Sequence, residues 1–154
     1  MAETRVFLSN DAQGITNDKT YLTYHKSGTI TADATGIILM GSAPQAGKVT
    51  NVWGSVGTNG VDGSDTLTLG YSVKKNGTAV CSTIPLINKT AGTGRKTTTT
   101  ATTGITEAVI KTDGTQIFAA GDTLSVDFDI TRAGTPTTEF TDAAVTVEIT
   151  FLAV

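Results

Sequence analysis

Few side chains in this chain are of a type and spacing that could do chemistry. His25 is the single histidine, so a Ser–His or Cys–His nucleophile system would have to use it. It lies in a weakly patterned stretch, and no Gly-x-Ser-x-Gly elbow occurs, so no catalytic residue is assigned. Asp127 and Asp129 are two apart, and Glu148 follows in a second stretch of the same pattern. Paired carboxylates can do acid–base work or hold calcium. On alternating strands they more simply form an outer face that is solvated or meets a basic partner. That reading assigns no metal and no cofactor, and it predicts that Asp127→Asn is nearly silent.

Other candidates are thinner. Asp62-Gly-Ser-Asp65 could give oxygens to a cation but reads as a turn. Gly92-Thr-Gly-Arg-Lys-Thr97 matches part of a phosphate-binding loop. Arg95, however, stands where the glycine before Lys96 should be, and no strand-to-helix transition follows. Asn76-Gly-Thr and Asn88-Lys-Thr fit the glycosylation sequon, but Met-Ala-Glu-Thr-Arg does not open a signal peptide, so they carry no weight. The sole Trp53 lies within a strand pattern and is expected in the core rather than as a sugar-stacking platform. Cys81 is the only cysteine, so no internal disulfide is available, which points to a reducing or virion-associated setting. The chain is not expected to be an enzyme.

The elements that must position these residues are strands. In Gly121 to Ile130, Leu124, Val126, Phe128 and Ile130 alternate with Ser125, Asp127 and Asp129. Val145, Val147, Ile149 and Phe151 alternate likewise with Thr146, Glu148 and Thr150. A strict period of two marks a strand with one face buried and one wet. Burying four large apolar side chains on each strand could supply about 12–24 kcal/mol before entropy is charged. These two strands are expected to anchor the core.

Composition agrees. The chain has 154 residues, with 32 Thr and 17 Gly, a charged fraction of 16% and a hydrophobic fraction of 38%. Thr favours strands and Gly turns, and no ten-residue window has Ala, Leu, Glu and Lys at helical spacing. A chain of this length forms one domain that buries roughly 70% of its unfolded surface. A net charge of −3 argues against nucleic acid, which calls for a basic stripe. The longest strongly apolar run, Ile37 to Met40, is far too short to span a membrane.

Residues 1–35 read as an N-terminal arm with short edge strands near 20–24 and 29–33, and residues 36–154 as a β-sandwich. Within residues 1–18, Val6, Phe7, Leu8 and Ile15 lie between polar turns. A Val-Phe-Leu trio gains nothing in water and invites a partner surface, so these four are the candidate partner-binding residues. Ile37 to Met40 reads as a short buried strand, and Val49 to Val56 as another with a bulge at Trp53-Gly54. Leu67, Leu69, Tyr71 and Val73 form a further strand. Asn76-Gly77 marks a type I′ hairpin that sets Val73 opposite Val80 and puts Cys81 on the other face. Residues 88–104 form a low-complexity loop with no apolar side chain larger than Ala, long enough to have a job or be disordered. Ile105 to Lys111 is a strand, Gln116 to Phe118 an edge piece, and Arg132 to Asp142 a second polar loop. The whole is an all-β sandwich, jelly-roll-like, with an extended N-terminal arm.

The arrangement resembles the small β-sandwich decoration, or cement, proteins of tailed-bacteriophage heads. The polar arm of Met1 to Thr35, the Thr/Gly-rich strands with the Lys74-Lys75-Asn76-Gly77-Thr78 hairpin, the stretch Gln116-Ile-Phe-Ala-Ala-Gly-Asp-Thr-Leu-Ser-Val-Asp-Phe128 and the final strand Phe151-Leu-Ala-Val154 carry it. The resemblance implies a non-enzymatic virion protein, assembled in the host cytoplasm. It would sit on the capsid surface as a homotrimer and brace the major capsid protein. The competing expectation is a carbohydrate- or receptor-binding module of a phage fibre or tail. An aromatic content of only 6% speaks against it.

Overall fold

The computed structural model describes residues 4–7, 19–63 and 66–152, the first of these by main chain alone. The strands are β1 (Thr4–Phe7), β2 (Lys19–Ile30), β3 (Ala34–Met40), β4 (Gly47–Val56), β5 (Leu67–Lys75), β6 (Thr78–Ala79) and β7 (Cys81–Thr83). After them come β8 (Leu86–Asn88), β9 (Lys96–Thr97), β10 (Ile105–Thr106), β11 (Val109–Ile110), β12 (Ile117–Phe118), β13 (Leu124–Arg132) and β14 (Phe140–Phe151). Among the described residues no helix is long and apolar enough to cross a membrane.

Two antiparallel sheets pack as a sandwich. The first runs β1-β2-β14-β4-β12, with β9 also on β4, and the second β10-β8-β5-β13-β3, with β6 on β5. Leaving out the short additions, β2-β14-β4-β12 faces β3-β13-β5-β8. With strands numbered along the chain, that order is the jelly roll. The two alternating strands do anchor it: β13 is flanked by β5 and β3, and β14 by β2 and β4. Leu124, Val126 and Phe128 meet Val145, Val147 and Ile149 in one buried core. Phe128 stacks edge-on against Tyr71 at 5.3 Å and Tyr24 at 5.7 Å between ring centroids.

The N-terminal third departs from the expectation. β2 is one strand of 12 residues, not two short pieces. The turn signal at Ser27-Gly28 is a mid-strand irregularity opposite Asp142, whose φ is +53°. Asp142 Oδ1 accepts the Gly28 N–H at 2.9 Å. This kink lets Phe140 and Ala143, three residues apart, both point inward. Leu22 and Ile30 are core residues, so the sandwich begins at Lys19 rather than at residue 36.

Three further corrections follow from register. β3 is an edge strand with Leu39 buried and Ile38 exposed, not a buried strand. The stretch from Ile105 to Lys111 splits into β10, which pairs β8 in the second sheet, and β11, which pairs β7 in a separate two-stranded sheet. The bulge of β4 lies at Thr50, which is skipped where Glu148 pairs Asn51 and Ile149 pairs Val49, and not at Trp53-Gly54. The extra residue reverses the alternation: Val52, Gly54 and Val56 face inward, and Asn51, Trp53 and Ser55 face outward. Trp53 is therefore outside the core.

The hairpin forms as its sequence requires. Asn76 and Gly77 both have positive φ, at 46° and 82°, and the Val80 N–H donates to Val73 O at 2.9 Å. The Thr-rich loop is folded rather than loose. Asn59, fully buried in the preceding loop, donates its amide to the carbonyls of Asn88, Lys89 and Gly92. Thr98 is buried too, and Gly54 bonds it twice, N–H to Oγ1 at 2.8 Å and C=O from the Thr98 N–H at 2.9 Å.

Candidate functional site

The carboxylates singled out as a possible pair are not one. Asp127 and Asp129 lie on the outer face of β13 in the second sheet, and Glu148 on the outer face of β14 in the first. Neither face is simply wet there. Asp127 is 5% exposed: it accepts the Gly36 N–H at 2.7 Å and is ion-paired with Lys74. Glu148 is 6% exposed and is held by Thr50 Oγ1 at 2.7 Å, Tyr21 Oη at 3.1 Å and Lys19 Nζ at 3.1 Å. A carboxylate so enclosed is a strut, with its lone pairs spent on the fold.

Burial alone would raise both carboxyls. For Asp127 the Lys74 ammonium and the Gly36 N–H outweigh it, and for Glu148 Thr50, Lys19 and Tyr21 do, so both sit below the ordinary carboxylate range. Asp129 is pushed the other way by burial and by the nearby Asp127 and Asp33. Asp127→Asn is therefore expected to cost about 1–3 kcal/mol by loss of a charge-assisted bond to Lys74, rather than to be silent. A depressed folded-state carboxyl contributes stability above its unfolded value and loses it as pH falls through the folded value. Melts recorded from pH 7 downward should thus decline through the acid carboxylate range for the parent and more shallowly for Asp127→Asn. Equal melting temperatures at pH 7 would contradict the ion pair.

The remaining candidates resolve one by one. Asp62 keeps a buried Oδ2 without a hydrogen-bond partner, while Asp65 lies outside the described residues. No group of three His, Cys, Asp or Glu that could hold a metal occurs among the described residues. Lys96 and Thr97, from the phosphate-loop-like stretch, form β9 on β4 with no helix after it. The amide of Asn76 donates to Asp122 Oδ1 at 2.7 Å, and Asn88 caps the 3-10 turn Lys89–Ala91. Cys81 is buried, and that burial pushes its thiol up to about 11, leaving little thiolate at neutral pH. Of the arm residues, Val6 and Phe7 lie in β1, their main chain opposite Leu22 and Tyr21. Leu8 and Ile15 lie outside the described residues.

What the structure does assemble is the outer face of the first sheet. Pairing sets its side chains in rows: Tyr21, Glu148 and Asn51; Thr23, Thr146 and Trp53; His25, Ala144, Ser55 and Thr97. Tyr21 and Trp53 stack with centroids 6.3 Å apart and planes at 30°. The hydroxyls of Thr23 and Thr146 are 3.3 Å apart. Ala144 is the smallest side chain of its row, and the face dips there. A hollow of about 290 Å³ involves His25, Ser55, Ala144, Arg95 and Asp142. A second, of about 250 Å³, lies against Trp53, Thr97, Thr99 and Thr146. Ser55 and Thr97 border both. No sequence pattern announced this trough, because the Thr50 bulge decides which side of β4 carries the indole. No protein-family model matches the chain, and no curated protein matches it.

Proposed function

We propose that this is a non-enzymatic structural protein of a phage particle, a decoration or cement protein that binds the outer capsid surface and braces adjacent copies of the major capsid protein. The observation that carries the reading is β1. The jelly-roll strands are complete without it, and it joins the rim of the first sheet by a ladder from Thr4 opposite Tyr24 to Phe7 opposite Tyr21. A strand held to a finished sheet by main-chain bonds is a transferable contact, because the same ladder forms on the free edge of a neighbour. Val6 and Phe7, with Leu8 and Ile15 further along the arm, would supply its apolar contacts.

The rest of the surface suits a protein partner. One end of the sandwich carries an apolar groove of about 320 Å³ bordered by Leu39, Met40, Pro44 and Phe151. Ile117 and Leu152 are 45% and 42% exposed and flank the start of β4, where the Leu152 N–H donates to Ala46 O and Ile117 pairs with Lys48. Clustered exposed apolar side chains favour association, and assembly into a homotrimer on the virion would cover open strand edges. Jelly rolls serve in both capsid and lectin domains, so the fold by itself does not choose.

Deleting residues 1–18 removes no jelly-roll strand. It is expected to leave β-type circular dichroism and the thermal melt nearly intact, while co-sedimentation with expanded capsids falls sharply. A truncated chain that decorates capsids as well as the full one would end the arm hypothesis.

A further inference from the structure

The trough on the outer face of the first sheet has the make-up of a saccharide site. A pyranose ring presents an apolar C–H face and a rim of hydroxyls. It is recognised by an aromatic plane beside groups that both donate and accept hydrogen bonds. Trp53 supplies the plane, steadied by its stack on Tyr21, whose hydroxyl is in turn fixed on Glu148. Thr146, Thr97 and Thr99 supply hydroxyls beside the indole. The floor drops at Ala144, and the far end carries Arg95, His25 and Asp142, a guanidinium, an imidazole and a carboxylate. Asp142 is aimed by its bond from the Gly28 N–H. From Trp53 to Val56, β4 covers about 10 Å at ordinary strand rise, a length that exceeds one sugar ring.

We propose that this face binds a short oligosaccharide, one ring stacked on Trp53 and the next units crossing Ala144 toward Arg95. The stack rests on a rigid strand rather than a loop, and the Thr98–Gly54 bonds tie the Arg95 segment to that same strand. This goes beyond capsid bracing and does not depend on it, because it rests on Trp53 and the two hollows beside it and not on β1.

The test uses the full chain and an array of pyranose oligosaccharides of two to four units, neutral and acidic. Trp53 is the only tryptophan, so fluorescence titration with any retained oligosaccharide reports on this site alone. The expected result is retention of at least one oligosaccharide class with a saturable change in emission. Trp53→Ala and the exposed-site variant Arg95→Gln should each weaken retention on the order of tenfold or more, while Arg95→Gln melts at the parent temperature. No retention by the parent overturns the proposal. So does retention that leaves tryptophan emission unchanged, or that both variants preserve.

Discussion

Phe128→Asp is expected to unfold the protein. Phe128 is fully buried on the strand between β3 and β5, edge-on to both Tyr71 and Tyr24. The substitution removes those ring contacts and leaves an unpaired carboxylate where its partners are carbon. A buried, uncompensated charge costs several kcal/mol against a typical total stability of about 5–15 kcal/mol. Circular dichroism should show loss of the β signal at room temperature, whereas Phe128→Leu should fold and melt lower. A cooperative melt of Phe128→Asp near the parent temperature would mean that the β13 faces are misassigned.

Gly54→Ala, the addition of one methyl group, should be nearly as damaging. A Cβ on Gly54 would lie 2.1 Å from Tyr71 Cε2 and 2.2 Å from Cδ2. The ring cannot easily retreat. Its hydroxyl donates to Ser55 O at 2.7 Å, and its other side meets Phe128. Gly54 itself is pinned by both bonds to Thr98. Overpacking usually costs about 1–3 kcal/mol and occasionally more, and a clash between two fixed groups belongs at the upper end. At this chain length each kcal/mol lowers Tm by roughly 2–4 °C, so a fall of about 6–12 °C is expected. Tyr71→Leu should be destabilising alone yet partly relieve Gly54→Ala, a non-additivity that a double-mutant cycle reads directly. Strict additivity would show that the ring is not what excludes the methyl group.

The parts of this fold that were legible in the sequence are those where a local pattern and its tertiary use coincide. Leu124 to Ile130 and Val145 to Phe151 alternate, and both stretches are central strands. Asn76-Gly77 asked for positive φ twice and has it. What stayed hidden depends on residues distant in the chain. The outer face of β13 reads as wet until Lys74 and Gly36, from the two neighbouring strands, close over Asp127. β2 reads as broken because Ser27-Gly28 is a turn signal, yet it stays paired with β14 on both sides of that point, and Asp142, 114 residues away, accepts the Gly28 N–H where the register shifts. The loop at 88–104 has no core-forming side chain of its own, and its order is supplied by Asn59 and by Gly54. Trp53 faces out because a single extra residue on β4 shifts the phase, and a period of two cannot reveal where such a residue falls.

The position of β14 also dictates when the first sheet can exist. β2 and β4 do not pair with each other; each needs β14 between them, and His25 waits for Ala144, far along the chain. During synthesis both early strands therefore leave the ribosome with unsatisfied edges. The second sheet is similarly incomplete until β13 arrives between β5 and β3. Loop closure over such separations is slow, and a nascent chain held in that state can pair with other copies before it pairs with itself. Both layers close only when the last two long strands, β13 and β14, take their places between the early ones.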